Sequence, residues 1–142
     1  MRLFLDANVI YSTAKSELGA SFALFQLERK LNYTFISSRL ALVEAERNII
    51  EKENTEIVES FYRLIQKIKI ITVDGNKAKK YYKGIIEEKD APILYGAKQS
   101  KAEYLITLDR RHFFTNTIKR KQFPFTIRTP GEFIMSLRNK TE

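Results

Sequence analysis

Four carboxylates stand where side chains can do chemistry. They are Asp6 in Leu3-Phe4-Leu5-Asp6-Ala7-Asn8, Glu44 in Leu42-Val43-Glu44-Ala45-Glu46-Arg47-Asn48, Asp90 ahead of Ala91-Pro92-Ile93-Leu94, and Asp109 closing Leu105-Ile106-Thr107-Leu108. Each sits where an apolar element begins, ends or turns. Gathered into one pocket, such groups repel one another until protons or a divalent cation neutralise them, so the chemistry they imply is oxygen coordination of a hard cation. Polar neighbours accompany them: Asn8 two residues after Asp6, Asn48 one helical turn after Glu44, and Thr107 two residues before Asp109, on the same side of a strand. Taken singly, most of these acids also have a plain structural reading. Asp6 and Asp90 would serve as helix N-caps, and Glu44 as a helix-edge residue paired with Lys or Arg, as Glu46 would be on the other side. Asp74, in Val73-Asp74-Gly75-Asn76, has the chemistry of a turn, and Glu87 and Glu88 read as solvated helix surface.

Composition narrows the options. With no cysteine and one histidine in 142 residues, disulfides, thiolate-bound zinc and multi-histidine sites are excluded. His112, past Asp109 on a turn, is the single general-base candidate of near-neutral pKa, but a lone surface histidine is more often incidental. No stretch approaches the roughly 18 uninterrupted apolar residues of a membrane span. The N-terminus enters Leu3-Phe4-Leu5 without the long apolar region of a secretory signal, which places the expectation in the cytoplasm. The length suits one domain over residues 1–142.

The net charge of +8 is unevenly spread. From Arg110 to Gly131 there is no acid, and Arg110, Arg111, Lys119, Arg120, Lys121 and Arg128 interleave with Phe113, Phe114, Phe123 and Phe125. A second cluster, Lys77, Lys79, Lys80 and Lys83, adjoins Tyr81 and Tyr82. Such segments suit phosphate contacts and base stacking, against the simpler picture of solvated lysines over core aromatics.

The elements that must position these groups follow from the apolar pattern. Runs of strand length recur at Leu3 to Leu5, Tyr33 to Ile36, Ile70 to Val73, Tyr104 to Thr107 and Phe125 to Ile127. Between them helical spacing links Leu18, Phe22 and Phe25; Leu40, Val43 and Ile50; Ile57, Phe61, Leu64, Ile65 and Ile68; Ala78, Tyr81, Tyr82, Ile85 and Ile86; and Ile93, Leu94 and Ala97. A last helix opens on Thr129-Pro130-Gly131-Glu132, with threonine at the cap and glutamate three residues on. An extended loop is expected near Phe114 to Pro124. Strands alternating with helices predict a mostly parallel central sheet in a three-layer α/β/α sandwich, with sites beyond the carboxyl ends of the strands.

As an ordered set, Asp6 with Asn8, Glu44 with Asn48, Asp90 before Pro-Ile-Leu, and Thr107 with Asp109 resemble the PIN-domain nuclease family, from Leu3 to about Phe133. The resemblance implies a compact α/β/α fold whose Asp6, Glu44, Asp90 and Asp109 bind Mg²⁺ or Mn²⁺, supported by Asn8 and Thr107. It also implies cleavage of RNA phosphodiester bonds to leave a 5′-phosphate and a 3′-hydroxyl. Many small members are toxins with an antitoxin partner, and a homodimer is implied as well. In the expected division of labour Asp6 and Asp109 hold the principal metal, with Glu44 and Asp90 completing its shell or holding a second one. Arg110, Arg111, Lys119, Arg120 and Lys121 would supply affinity for RNA rather than chemistry. The alternative is a non-catalytic RNA-binding or partner-binding protein on the same fold. A phosphotransferase of the haloacid dehalogenase type fits less well, because Asn8 stands where such enzymes carry a second aspartate.

Overall fold

The structure is a computed structural model that describes residues 1–141, with side chains through Arg138. Five strands, β1 (Arg2–Leu5), β2 (Thr34–Ser38), β3 (Ile68–Ile71), β4 (Tyr104–Ile106) and β5 (Thr126–Arg128), form one sheet in the order β3-β2-β1-β4-β5. All pairings are parallel. β1 is central and buried on both faces, with Leu3, Phe4 and Leu5 wholly inaccessible, as a strand covered by helices on each side must be. The helices are α1 (Ala7–Lys15), α2 (Ala20–Gln26), α3 (Glu28–Leu31), α4 (Arg39–Lys52), α5 (Thr55–Ile65), α6 (Gly75–Tyr81), α7 (Ala91–Gln99), α8 (Arg110–Phe113), α9 (Asn116–Arg120) and α10 (Pro130–Thr141). α1 packs with α2, α4 and α5, while α7 packs with α6 and lies across β1, β2 and β4.

The chain winds outward from β1 through β2 to β3, then returns through α6 and α7 to β4 on the other side of β1. That return puts a topological switch point between β1 and β4, where an open parallel sheet leaves a crevice at its carboxyl edge. The two strands run in register, Leu5 against Ile106, and the Asp6 amide donates to the Ile106 carbonyl at 3.0 Å. Residues 6 and 107 are therefore neighbours at the crevice. α7 reaches β1 closely because position 96 is glycine: a Cβ there would fall 2.4 Å from the tip of the Phe4 ring.

All five expected strands are present, β3 two residues earlier than its Ile70 to Val73 run indicated. The helices required more correction. Leu18 is 98% exposed in the turn before α2 and shares no buried face with Phe22 and Phe25. The first helix is α1, which buries Val9, Ile10, Thr13 and Ala14. On α4 the inward residues are Ala41, Ala45 and Ile49, whereas Leu40, Val43 and Ile50 face solvent. Both sets have helical spacing, and the small alanines let α4 approach α1. Tyr81 is likewise exposed while Tyr82 is buried, Ile85 and Ile86 follow α6 in a turn, and Ile68 belongs to β3. The expected loop from Phe114 to Pro124 contains α9, capped by the Thr115 hydroxyl and anchored by buried Ile118. The last helix begins on a reciprocal capping box between Thr129 and Glu132, at 2.9 and 3.1 Å. Among the described residues no helix is long and apolar enough to cross a membrane.

Candidate active site

Asp6 leaves β1 as the N-cap of α1, and its Oδ1 accepts the Ala7 amide at 2.7 Å. The capping role is thus real, and it occupies one oxygen. Oδ2 accepts from the Thr107 hydroxyl at 2.8 Å and from Asn8 Nδ2 at 3.2 Å. Asn8 Oδ1 in turn accepts the Leu108 amide at 3.0 Å, and Thr107 Oγ1 accepts the Asp109 amide at 3.1 Å. Asn8 and Thr107 therefore tie the exits of β1 and β4 together and fix where Asp6 and Asp109 point. Asp109 caps α8 through the His112 amide at 3.1 Å, and its Oδ2 lies 2.7 Å from His112 Nδ1.

Asp90 occupies the N-cap position of α7 but makes no capping hydrogen bond. Its Oδ2 is sealed from solvent without a hydrogen-bond partner. The plain reading of Asp90 as a cap is overturned, because helical backbone angles at this residue, φ −98° and ψ −14°, turn its carboxylate away from the amides of the first turn. Glu44 is exposed on α4, and it opens onto the same cleft as Asn48. Glu46 points elsewhere, accepting from the Tyr62 hydroxyl at 3.1 Å, and among the described residues it makes no ion pair with the Lys or Arg expected. Asp74 caps α6 through the amides of Asn76 and Lys77.

Asp6, Asn8, Glu44, Asp90 and Asp109 all border one cleft of about 730 Å³ at the carboxyl edge of the sheet. Four elements contribute the acids: the ends of β1 and β4, the middle of α4 and the head of α7. Burial raises the Asp6 carboxyl from 3.8 to about 6, helped by the charges of Glu44 and Asp90 and opposed by the hydrogen bonds from Thr107 and Ala7. Burial also raises Asp90, against the nearby His112 and Lys89. Asp90 thus offers a buried oxygen with no donor, and Asp6 a carboxyl whose charge is held back. This donor set fits a hard divalent cation, which favours carboxylate oxygens and would relieve both costs.

The basic residues are placed less simply. Arg110, Arg111, Lys119, Arg120 and Lys121 do not border the acidic cleft. Arg111 borders a neighbouring cleft with Glu87 and His112, while Arg110, Lys119 and Lys121 border a third beside Phe123 and Phe125. Arg110 also lies 3.8 Å from Glu132 and 5.5 Å from the Phe114 ring centre. Phe113, Phe125 and Tyr82 are core residues, so those rings are not free for stacking. The cations at the acidic cleft are Lys52, Lys79 and Lys89. Lys52 and Lys89 lack a local signal in the sequence, since each is a single lysine beside glutamates. His112 is not on an exposed turn as expected: its side chain is only 19% exposed and engages Asp109.

No family model matches the chain, nor does any curated protein sequence. Solved structures do. A chain of the VapBC2 structure from Rickettsia felis, bound to a DNA fragment from their promoter, superposes with a TM-score of 0.66 at 18% identity over 91% of this chain and 98% of its own. A toxin–antitoxin complex from Klebsiella pneumoniae gives 0.61 at 16% identity, over 90% and 97%. VapBC-1 from nontypeable Haemophilus influenzae gives 0.60 at 18%, over 92% and 99%. At these identities the likeness concerns the fold, and with five parallel strands between helical layers this chain has the PIN-like α/β/α fold that its acids resemble.

Proposed function

We propose that the chain is a Mg²⁺- or Mn²⁺-dependent endoribonuclease and the toxin half of a toxin–antitoxin pair. The observation that carries the reading is the meeting of Asp6, Glu44, Asp90 and Asp109 on one cleft at the switch point, although they are far apart in sequence. The shared fold with toxin–antitoxin structures supports the second half of the proposal.

When bound, a divalent cation supplies an activated water and neutralises charge on the leaving oxygen of the phosphodiester. The chain's own residues do the rest. Asp6 and Asp109 hold the principal cation, kept in place by Asn8 and Thr107, whose hydrogen bonds span the exits of β1 and β4. Glu44 and Asp90, which border the same cleft, would complete the shell. Lys52, Lys79 and Lys89 at the cleft and Arg110, Arg111, Lys119, Arg120 and Lys121 beyond it attract RNA phosphates, which is affinity without sequence readout. An antitoxin would cover the exposed apolar stripe Leu40, Val43 and Ile50 on α4, which starts at the cleft, where Leu40 forms part of the wall.

Incubation of a mixed RNA with the protein and Mn²⁺ is expected to yield fragments with 5′-phosphates, and a chelator stops the reaction. Asp6→Asn and Asp109→Asn each abolish cleavage while leaving far-UV circular dichroism unchanged. Full activity in both variants would remove these residues from the metal site. Co-expression with the product of an adjoining gene is expected to yield a complex that suppresses cleavage.

A further inference from the structure

One cluster beside the cleft contains the chain's single histidine. Glu87 and Asp90, from the turn ahead of α7, meet His112 on α8, and the three offer ligand atoms within 4.8 Å of one another. His112 Nε2 is 3.6 Å from Glu87 Oε2, and Nδ1 is 2.7 Å from Asp109 Oδ2. The short Nδ1 contact assigns roles to the two ring nitrogens. An ionised carboxylate only accepts, so in the neutral ring Nδ1 carries the proton and Nε2 keeps a lone pair on the side of Glu87. A carboxylate that fixes the tautomer of a histidine in this way orients it as a metal ligand.

A second observation concerns Asp90, whose unpartnered oxygen is the one counted at the acidic cleft as well. Asp90 Oδ2 is buried with no hydrogen-bond partner, and His112 Nδ1, 3.7 Å away, is already committed to Asp109. A carboxylate oxygen taken from water and left without a donor is costly, and a cation held between Asp90, Glu87 and Nε2 would offset that cost. Glu87 and His112 also border a second cleft of about 490 Å³, so an ion has its own path from solvent. Glu87 is therefore more than the solvated helix surface that its sequence context indicates.

We infer that Glu87, Asp90 and His112 form a second cation site, which takes a first-row transition ion such as Mn²⁺, Co²⁺ or Zn²⁺ in preference to Mg²⁺. The imidazole sets the preference: Mg²⁺ favours oxygen ligands and its own waters, whereas transition ions take imidazole readily. Asp90 is shared with the acidic cleft, and only that sharing rests on the nuclease reading.

With one histidine there is one imidazole to observe. In protein labelled with ¹⁵N-histidine, Zn²⁺ is expected to shift the Nε2 resonance by direct ligation, while Nδ1 stays protonated and millimolar Mg²⁺, which reaches the ring only through Asp109 at Nδ1, does not produce the Nε2 shift. Glu87→Gln, at a side chain 61% exposed, is expected to weaken Zn²⁺ binding at least ~10-fold, the scale of losing a metal-site partner. Asp6→Asn keeps the shift. An Nε2 resonance indifferent to Zn²⁺, or an unchanged affinity in Glu87→Gln, overturns the inference and leaves His112 as an ion-pair partner of the acids. RNA cleavage separates the two readings: a Zn²⁺ response without cleavage by any metal refutes the nuclease and keeps the site, and cleavage with a silent imidazole does the reverse.

Discussion

Asp6 caps a helix with one oxygen and faces the acidic cleft with the same carboxylate, so the two readings of this residue are not exclusive. The cost of the arrangement lies in its protonation. Its folded-state pKa of about 6 stands above the ordinary 3.8, chiefly through burial, and Asp90 is raised in the same direction. The folded chain therefore keeps a proton that the unfolded chain releases between those values. Stability from this group is fully present below pH 3.8 and is lost as pH rises through about 6. For Asp6 the difference corresponds to about 3 kcal/mol at neutral pH, an order-of-magnitude figure. Under the proposed function a divalent cation would bind the deprotonated acids of the folded state and restore what is lost. Thermal unfolding is accordingly expected to show a clear rise in Tm on adding Mn²⁺ at about pH 7.5 and almost none at about pH 4.5, where protons compete for the same oxygens. An equal rise at both values would mean that the cation binds elsewhere.

At the scale of elements, α7 is the member whose placement tolerates least change. Gly96 lets it lie on β1, where a Cβ would sit 2.4 and 2.8 Å from atoms of a wholly buried Phe4 ring. Gly96→Ala gains roughly 1 kcal/mol of helix propensity but forces either α7 or the ring to move, at about 1–3 kcal/mol. The expected net result is a destabilised protein in urea unfolding, and because α7 carries Asp90 at its head, weaker metal binding as well. Stability equal to or above that of the parent would show that the Phe4 ring yields freely. The elements also show what a sequence can disclose. The five strands were legible because a sheet covered on both faces needs short apolar runs, unbroken in β1 and β4 and interrupted by single polar residues farther out. α1 was not, because its buried face of Val9, Ile10, Thr13 and Ala14 includes a polar threonine and is flanked by Asn8, Tyr11 and Ser12. α4 was legible as a helix but not in its orientation, since close packing on α1 selects Ala41 and Ala45 over the larger Leu40 and Val43. Asp6, Asp90 and Asp109 stand out by their position at element boundaries and Glu44, in the middle of α4, only by the ordered resemblance, whereas Glu87 and His112 carry no such mark and meet only through the turns ahead of α7 and after β4.

For the whole molecule, a chain of net charge +8 gathers Asp6, Glu44, Asp90 and Asp109 around one cleft and keeps most of its cations outside it. The long-range field attracts a polyanion, and the local field repels it unless a cation occupies the cleft. Two groups of cations compete for the role of binding RNA: Lys52, Lys79 and Lys89 at the cleft, and the Lys119-Arg120-Lys121 run at the end of α9, all three exposed. Binding of a single-stranded RNA measured against salt distinguishes them, because removing one side chain that neutralises a phosphate reduces the slope of log K against log salt by about 0.7. Changing Lys119, Arg120 and Lys121 together to alanine is expected to weaken binding and flatten the slope by up to about 2 if all three touch the backbone. Their separation from the cleft predicts that cleavage of bound RNA at saturating substrate keeps its rate. Changing Lys52, Lys79 and Lys89 is expected to slow cleavage at saturation as well, since these side chains border the acids themselves. An unchanged slope in the first triple variant would remove the α9 segment from the RNA footprint and leave its charge to long-range attraction alone.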